Sequence, residues 1–197
     1  ATVGIRWAGL LGRVTHVVEG DRLRWDERYA RLGPPAVDAV AVPGVFAAHQ
    51  DVFPTAGRAL ELACGQGLGS VWLARRGLDV VGLDISPVAT GHARYLARRC
   101  GVGDRCRFDV ADFDDGLPAG PPVEVILCHK FRDRRLDRAI VERLAPGGLL
   151  AVAVLSEVGR GPGPFRAAAG ELPLAFTGLR VLAAGEGDGC AWLLARA

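Results

Sequence analysis

Long apolar runs are missing from this chain. The longest, Leu149 to Leu155, falls far short of the ~20 residues that span a bilayer, so a membrane partner is not expected. No charged-then-apolar stretch opens the sequence in the manner of a secretory signal. An excess of one charge is missing too. The 24 basic and 22 acidic side chains leave a net charge of +2, which provides no general field for a phosphate backbone and no reason to expect nucleic acid. The five cysteines, Cys64, Cys100, Cys106, Cys128 and Cys190, are odd in number and never spaced Cys-x-x-Cys, which argues against a disulfide framework and a structural zinc site. They read as reduced thiols of a cytoplasmic chain. Lysine is almost absent, Lys130 standing alone among 24 basic residues.

What remains is a chain of 197 residues, half of them apolar, long enough for one domain with a full core. From Arg58 onward, short β-type runs alternate with helical patterns, as in a parallel sheet with helices on both faces. Strands are expected at "RALELAC", at "LDVVGLD", over Arg105–Asp109, over Val123–Lys130 and after Pro146. The best punctuated helix follows Ser86, a capping residue, with Pro87 at its first position and Gly101 at its left-handed stop. Leu136, Ile140 and Leu144, at four-residue spacing, form the buried face of a later helix. Beyond the loop "GRGPGPF", the last two strands flank an acidic glycine turn as an antiparallel hairpin. The expected fold is a Rossmann-like α/β architecture, a mixed seven-stranded sheet that is mostly parallel and ends in that hairpin. Residues 1–57 carry helical patterns over Asp21–Gly33 and Gly44–Val52, and read as a helical lid and substrate-recognition segment ahead of a 58–197 core.

The stretch "ELACGQGLG", residues 61–69, places Gly65, Gly67 and Gly69 on alternate positions between a strand and a helix. Glycine gives up more backbone freedom on folding than any other residue, so something approaches this backbone closely. A strand, a glycine turn and a helix suit an adenosine-containing ligand, because the free amides of the helix N-terminus face it. Two cofactor classes compete. The dinucleotide fingerprint needs a glycine at position 70, where Ser70 stands. An NAD(P)-dependent oxidoreductase and a non-catalytic cofactor-binding protein are the alternatives from other classes.

"ELACGQG" resembles the first motif of the class I S-adenosylmethionine-dependent methyltransferases, an acidic residue followed by small residues and Gly-x-Gly. The similarity runs from Arg58 to the C-terminus. "WDERY" and "PFRAAAGELPLAF" are similar to segments of its small-molecule branch, the tellurite-resistance and thiopurine types. This resemblance implies S-adenosyl-L-methionine as cofactor, with the backbone of Ala63, Gly65 and Gly67 against its methionine portion and Glu61 holding the loop and the ammonium group. Asp84, ending the second strand, is placed to accept hydrogen bonds from both ribose hydroxyls. Ile85 would cover the adenine, Asp112 in "VADF" would accept the adenine amino proton, and Phe113 would lie beside the base. Cys128, a small packing residue at the end of the fourth strand, joins the expected cofactor-binding set.

Methyl transfer from a sulfonium is an in-line displacement, which requires a nucleophile held ~3 Å from the methyl carbon. An oxygen acceptor also needs a base. "CHKFRD", beyond the fourth strand, offers His129 for that role, with Lys130, Arg132 and Asp133 to orient a polar substrate. Trp25 and Tyr29 of "WDERY" would close over cofactor and acceptor. His92 reads as a solvated group on the cofactor-side helix, and His16 and His49 as weaker candidates for the base. A metal-assisted mechanism would want two or three carboxylates at strand ends, and the spacing of Asp133 and Glu157 does not identify one, so no metal site is assigned. The expected reaction is O-methylation of a small polar metabolite, on a hydroxyl such as that of a sugar, by a monomer or homodimer. A thiol or a tellurium or selenium oxyanion is the alternative acceptor.

Overall fold

A computed structural model describes the backbone of residues 8–163 and 165–197 and, within these, the side chains from Glu19 onward. Strands β1 (Arg58–Leu62), β2 (Asp79–Asp84), β3 (Cys106–Val110), β4 (Val123–His129) and β5 (Leu144–Ser156) pair in parallel in the order β3-β2-β1-β4-β5. The two-residue β6 (Arg166–Ala167) adds in parallel to the end of β5. The hairpin β7 (Arg180–Gly187) and β8 (Cys190–Arg196) then closes the order as β5-β8-β7, antiparallel throughout, to give an eight-stranded mixed sheet. Central strands are apolar at nearly every position because both faces are covered, as in β1, where only Arg58 is exposed.

Helices α2 (Leu68–Arg75), α3 (Pro87–Arg99), α4 (Asp137–Arg143) and α5 (Glu171–Ala175) cover the sheet. On one face Leu62, Ile126 and Leu150 pack against Leu136, Ile140 and Phe176; on the other Val80, Val125 and Leu127 pack against Leu73, Phe46 and Phe53. The α3 start follows its sequence punctuation, Ser86 Oγ accepting from Ala89 N at 3.1 Å. Among the described residues no helix is long and apolar enough to cross a membrane.

Four segments differ from expectation. The helix expected over Asp21–Gly33 is the second half of α1 (Ala8–Leu32), and the segment Gly44–Val52 is a kinked 3-10 helix. Leu144 completes the apolar spacing of α4 but opens β5, whose start bulges against β4 around Val123 and Val125 where Gly147 turns left-handed at φ +75. β6 and α5 follow the "GRGPGPF" loop where the sequence suggested no element, since segments of two and five residues are too short to show a period.

Candidate active site

At the carboxyl ends of β1, β2 and β4, the usual ligand position in open parallel sheets, lies a crevice of about 520 Å³. Such a volume falls within the ordinary range for small-molecule sites. Trp25, Arg28, Tyr29 and Leu32 of α1 line it from one side, and the β1–α2 loop, Asp84, the Asp112–Asp114 turn and the end of β4 from the other.

The glycine loop is shaped by its own chain. Gly67, at φ +78, precedes α2, and a Cβ there would lie 2.7 Å from the Cβ of Ala93 on α3 and 3.1 Å from the ring of Phe108 on β3. At Gly65 (φ +52) an added Cβ would lie 2.8 Å from the hydroxyl of Tyr29. At Gly69 it would run into the Glu61 carboxyl and Leu127. The close approach that the alternate glycines announce is therefore made by α3, β3, α1, β1 and β4. Ala63 is left-handed as well, at φ +49, a conformation that favours glycine.

Beneath the loop, Glu61 is 4 % exposed and accepts a hydrogen bond from the Ser70 hydroxyl. Burial pushes its carboxyl up to about 7, with the Ser70 hydrogen bonds pulling the other way. Asp84 is buried at the end of β2, its Oδ2 accepting from Gly65 N at 2.7 Å and its Oδ1 from Ser86 N at 2.9 Å. Burial raises this carboxyl above its usual range, the two amides lower it, and the charge of Asp26 raises it further. A carboxylate offers about four acceptor positions, so each oxygen keeps one for a ligand.

On the far side of the loop, Gln66 Nε2 donates to Gly33 O at 2.6 Å and lies 3.0 Å from His92 Nδ1. His92 is thus a half-buried partner of the loop and not the solvated group expected. Asp112, half-buried, accepts from Asp114 N at 2.9 Å and so shapes the turn that presents Phe113, whose ring lies 5.1 Å from that of Phe131. Ile85, Asp112 and Phe113 all line the crevice.

At the other end His129, the last residue of β4, is half-buried and lines the crevice, with no hydrogen bond to its ring among the described residues. Burial, then the charge of Lys130, lowers its imidazole to about 4, so the ring is neutral at neutral pH. Lys130 follows in a left-handed conformation (φ +60) with its side chain exposed at the crevice. Asp133 also lines the crevice but is engaged by Arg135, whose Nη2 lies 2.6 Å from both Asp133 and Asp114. Arg135 thereby ties the β4–α4 loop to the Asp112 turn.

Two expected residues lie elsewhere. Side chains alternate along a strand, and Cys128, between Leu127 and His129, faces the opposite side of the sheet, where its thiol donates to Phe131 O at 3.1 Å and burial pushes it up to about 12. Arg132, expected to orient substrate, has a side chain only 4 % exposed and is consumed by a fork to Asp137 at 2.5 and 2.8 Å and a bond to Glu171 at 2.8 Å. His49 packs against Trp192 at 5.5 Å, and the side chain of His16 lies outside the described residues. Trp25 and Tyr29 do reach the crevice, stacked at 5.9 Å, and burial together with Asp84 raises the Tyr29 phenol above its ordinary range. The crevice also holds Arg28, Gln66, Arg135 and Phe165, which the spacing arguments passed over.

A parallel sheet with an antiparallel terminal hairpin, a glycine loop after β1 and a buried carboxylate ending β2 define a Rossmann-like domain. Comparison with known proteins gives the class: residues 59–148 match the methyltransferase domain family. The ubiquinone biosynthesis O-methyltransferase of Psychrobacter cryohalolentis is 28 % identical over 154 residues, 75 % of this chain and 56 % of that protein. An uncharacterized protein of Synechococcus is 31 % identical over 112 residues, 52 % of this chain and 26 % of that protein. The chain thus spans between a quarter and just over half of the length of these relatives. TehB from Haemophilus influenzae shares the fold with a TM-score of 0.68 at 20 % identity, over 79 % of this chain and 62 % of TehB. Residues 59–148 therefore match a methyltransferase domain, and the chain shares its fold, at 16 % identity and a TM-score of 0.64, with an S-adenosylmethionine-dependent methyltransferase from Mesorhizobium loti over 82 % of this chain and all of that one.

Proposed function

We propose that the chain is an O-methyltransferase for a small polar metabolite, with His129 as the base. The observation that carries this reading is the neutral imidazole of His129 at the crevice, without a hydrogen-bond partner among the described residues and beside the exposed ammonium of Lys130. The bound cofactor would supply a methyl group on a positively charged sulfur. The residues of the crevice fit it. Asp84 keeps one acceptor position on each oxygen for the ribose hydroxyls, Ile85 and Phe113 provide apolar surface for adenine, and Asp112 an acceptor for its amino group. Backbone at Ala63, Gly65 and Gly67 would lie along the methionine portion, and Glu61, poised near neutrality, would ionise opposite its ammonium group.

At the acceptor end His129 takes the hydroxyl proton while Lys130 and Asp133 orient the substrate and the Lys130 ammonium stabilises the developing oxyanion. A base lowered to about 4 suits a hydroxyl that ionises readily better than a sugar hydroxyl. Residues 1–57, through Trp25 and Tyr29, serve as the lid and recognition segment of a 58–197 core. A relative named as an O-methyltransferase supports an oxygen acceptor.

The test is a labelled-methyl screen over hydroxyl and thiol metabolites, followed by His129→Ala. Turnover should fall about 100-fold or more, with S-adenosylhomocysteine affinity within about twofold of wild type. Equal loss of turnover and cofactor affinity would assign His129 a structural role. Label on thiols alone would replace the oxygen acceptor with a sulfur one.

A further inference from the structure

The fold carries a connection from the β2 carboxylate to the lid helix that the reaction does not require by itself. Asp84 Oδ1 accepts from Ser86 N at 2.9 Å, and the Ser86 hydroxyl, buried, donates to Asp26 Oδ1 on α1 at 2.5 Å. Val88 N approaches the same oxygen at 3.5 Å, so the carboxylate stands over the first turn of α3, where helix amides are free and a negative charge is favoured. The other oxygen, Oδ2, is held by Arg22 at 3.1 Å within α1. Nearly one turn further along α1, Tyr29 lies against Gly65, whose amide donates back to Asp84 at 2.7 Å. Glycine loop, β2 carboxylate, α3 cap and lid helix thus form a closed ring of contacts around one end of the crevice.

We propose that Asp26 is a positioning residue, a latch that fixes α1 to the N-terminus of α3 and thereby holds Trp25 and Tyr29 over the bound cofactor. This rests on the cofactor reading of the crevice. Asp26 itself does not line the crevice, whereas Trp25 and Tyr29 do. A charge-assisted bond from a buried hydroxyl, reinforced by a helix terminus, is among the stronger surface-to-core attachments a lid can have. Its loss would free the lid without touching the groups that grip the nucleoside. The expected consequence is faster escape of cofactor, not slower chemistry.

The experiment compares Asp26→Ala, Asp26→Asn and Glu27→Ala. Glu27 sits on the same helix, exposed, with a long 3.8 Å pair to Arg31. Stopped-flow displacement should show S-adenosylhomocysteine leaving Asp26→Ala about tenfold faster, which corresponds to ~1.4 kcal/mol. KM for the cofactor should rise in step, with kcat within about twofold. Asp26→Asn keeps an acceptor for the Ser86 hydroxyl and should fall between, while Glu27→Ala should match wild type. Amide exchange without ligand gives a second readout, because Asp26→Ala should lose protection over residues 19–32 and in the first turn of α3. Unchanged release and unchanged exchange in Asp26→Ala would overturn the latch, as would an equal change in Glu27→Ala. If Asp26→Ala does not fold, Asp26→Asn decides on the same readouts. Failure of wild type to bind S-adenosylhomocysteine would overturn the cofactor reading instead, and the exchange measurement would still judge the latch.

Discussion

His129 and Asp84 illustrate how one physical cause, burial, serves two different ends. A half-buried imidazole at the end of β4 is held neutral at neutral pH, with its value lowered to about 4. If it is the base, kcat/KM for a hydroxyl acceptor should rise as pH passes through about 4 and stay level across neutrality. A limb near 6.5 would mean that the ring is solvated. The same shift acts on stability. Between about 4 and the ordinary 6.5 the folded chain binds fewer protons than the unfolded one, so stability should rise with pH across that window and be lost as pH falls through it. A urea midpoint series from pH 4 to 7 in wild type and His129→Ala would show it, the variant having the flatter profile. The residue scale is also where sequence reasoning was most uneven. Asp84 and Asp112 could be placed at the crevice because a carboxylate at or just beyond a strand end needs no distant partner to be recognised. Cys128 could have been excluded by strand alternation alone, since its neighbour His129 faces the crevice and the two cannot both do so. Arg132 could not, because Glu171 reaches it from α5 only in the folded chain. Asp26 lies inside the "WDERY" segment that was singled out, yet nothing local marks its partner Ser86.

Elements owe their placement to contacts that a period cannot encode. β2 and α3 were readable because an apolar run and a Ser-Pro cap are local signals. The β6–α5 segment was not, and the structure shows what holds it: Glu171 pairs with Arg132 and Arg134 and accepts from Ala168 N. Removing the guanidinium takes the fork from Asp137, which is 20 % exposed, and one of two arginine partners from Glu171, which is 13 % exposed. Arg132→Ala should therefore cost about 3 kcal/mol of stability, measured by denaturant midpoint, and leave S-adenosylhomocysteine affinity unchanged. A large loss of affinity with little loss of stability would return Arg132 to the substrate. The glycine loop gives the complementary case. Its glycines were read as room for a ligand, whereas Gly67 makes room for Ala93 and Phe108. Gly67→Ala combines a left-handed φ with overpacking and should destabilise the fold by about 2 to 4 kcal/mol even without ligand. A neutral result would mean that α3 can move aside.

For the whole molecule, the order β3-β2-β1-β4-β5 brings the ends of β1, β2 and β4 side by side, and α1 lies across them. The alternation of strands and helices announced this arrangement, including the antiparallel close. The helical pattern over Asp21–Gly33 and the "WDERY" resemblance pointed to a helix at the crevice, and Trp25 and Tyr29 do line it, but neither announced the pairs that seat that helix, such as Ser86 with Asp26. The proposed methyltransferase function rests on the fold and on the domain matched over residues 59–148, and the proposed placement of the cofactor rests on Asp84. Calorimetric titration with S-adenosylhomocysteine tests that placement most directly. One site per chain is predicted, with Asp84→Ala weakening it more than about tenfold through loss of charge-assisted bonds to the ribose. Absence of binding, or an Asp84→Ala isotherm indistinguishable from wild type, would contradict it.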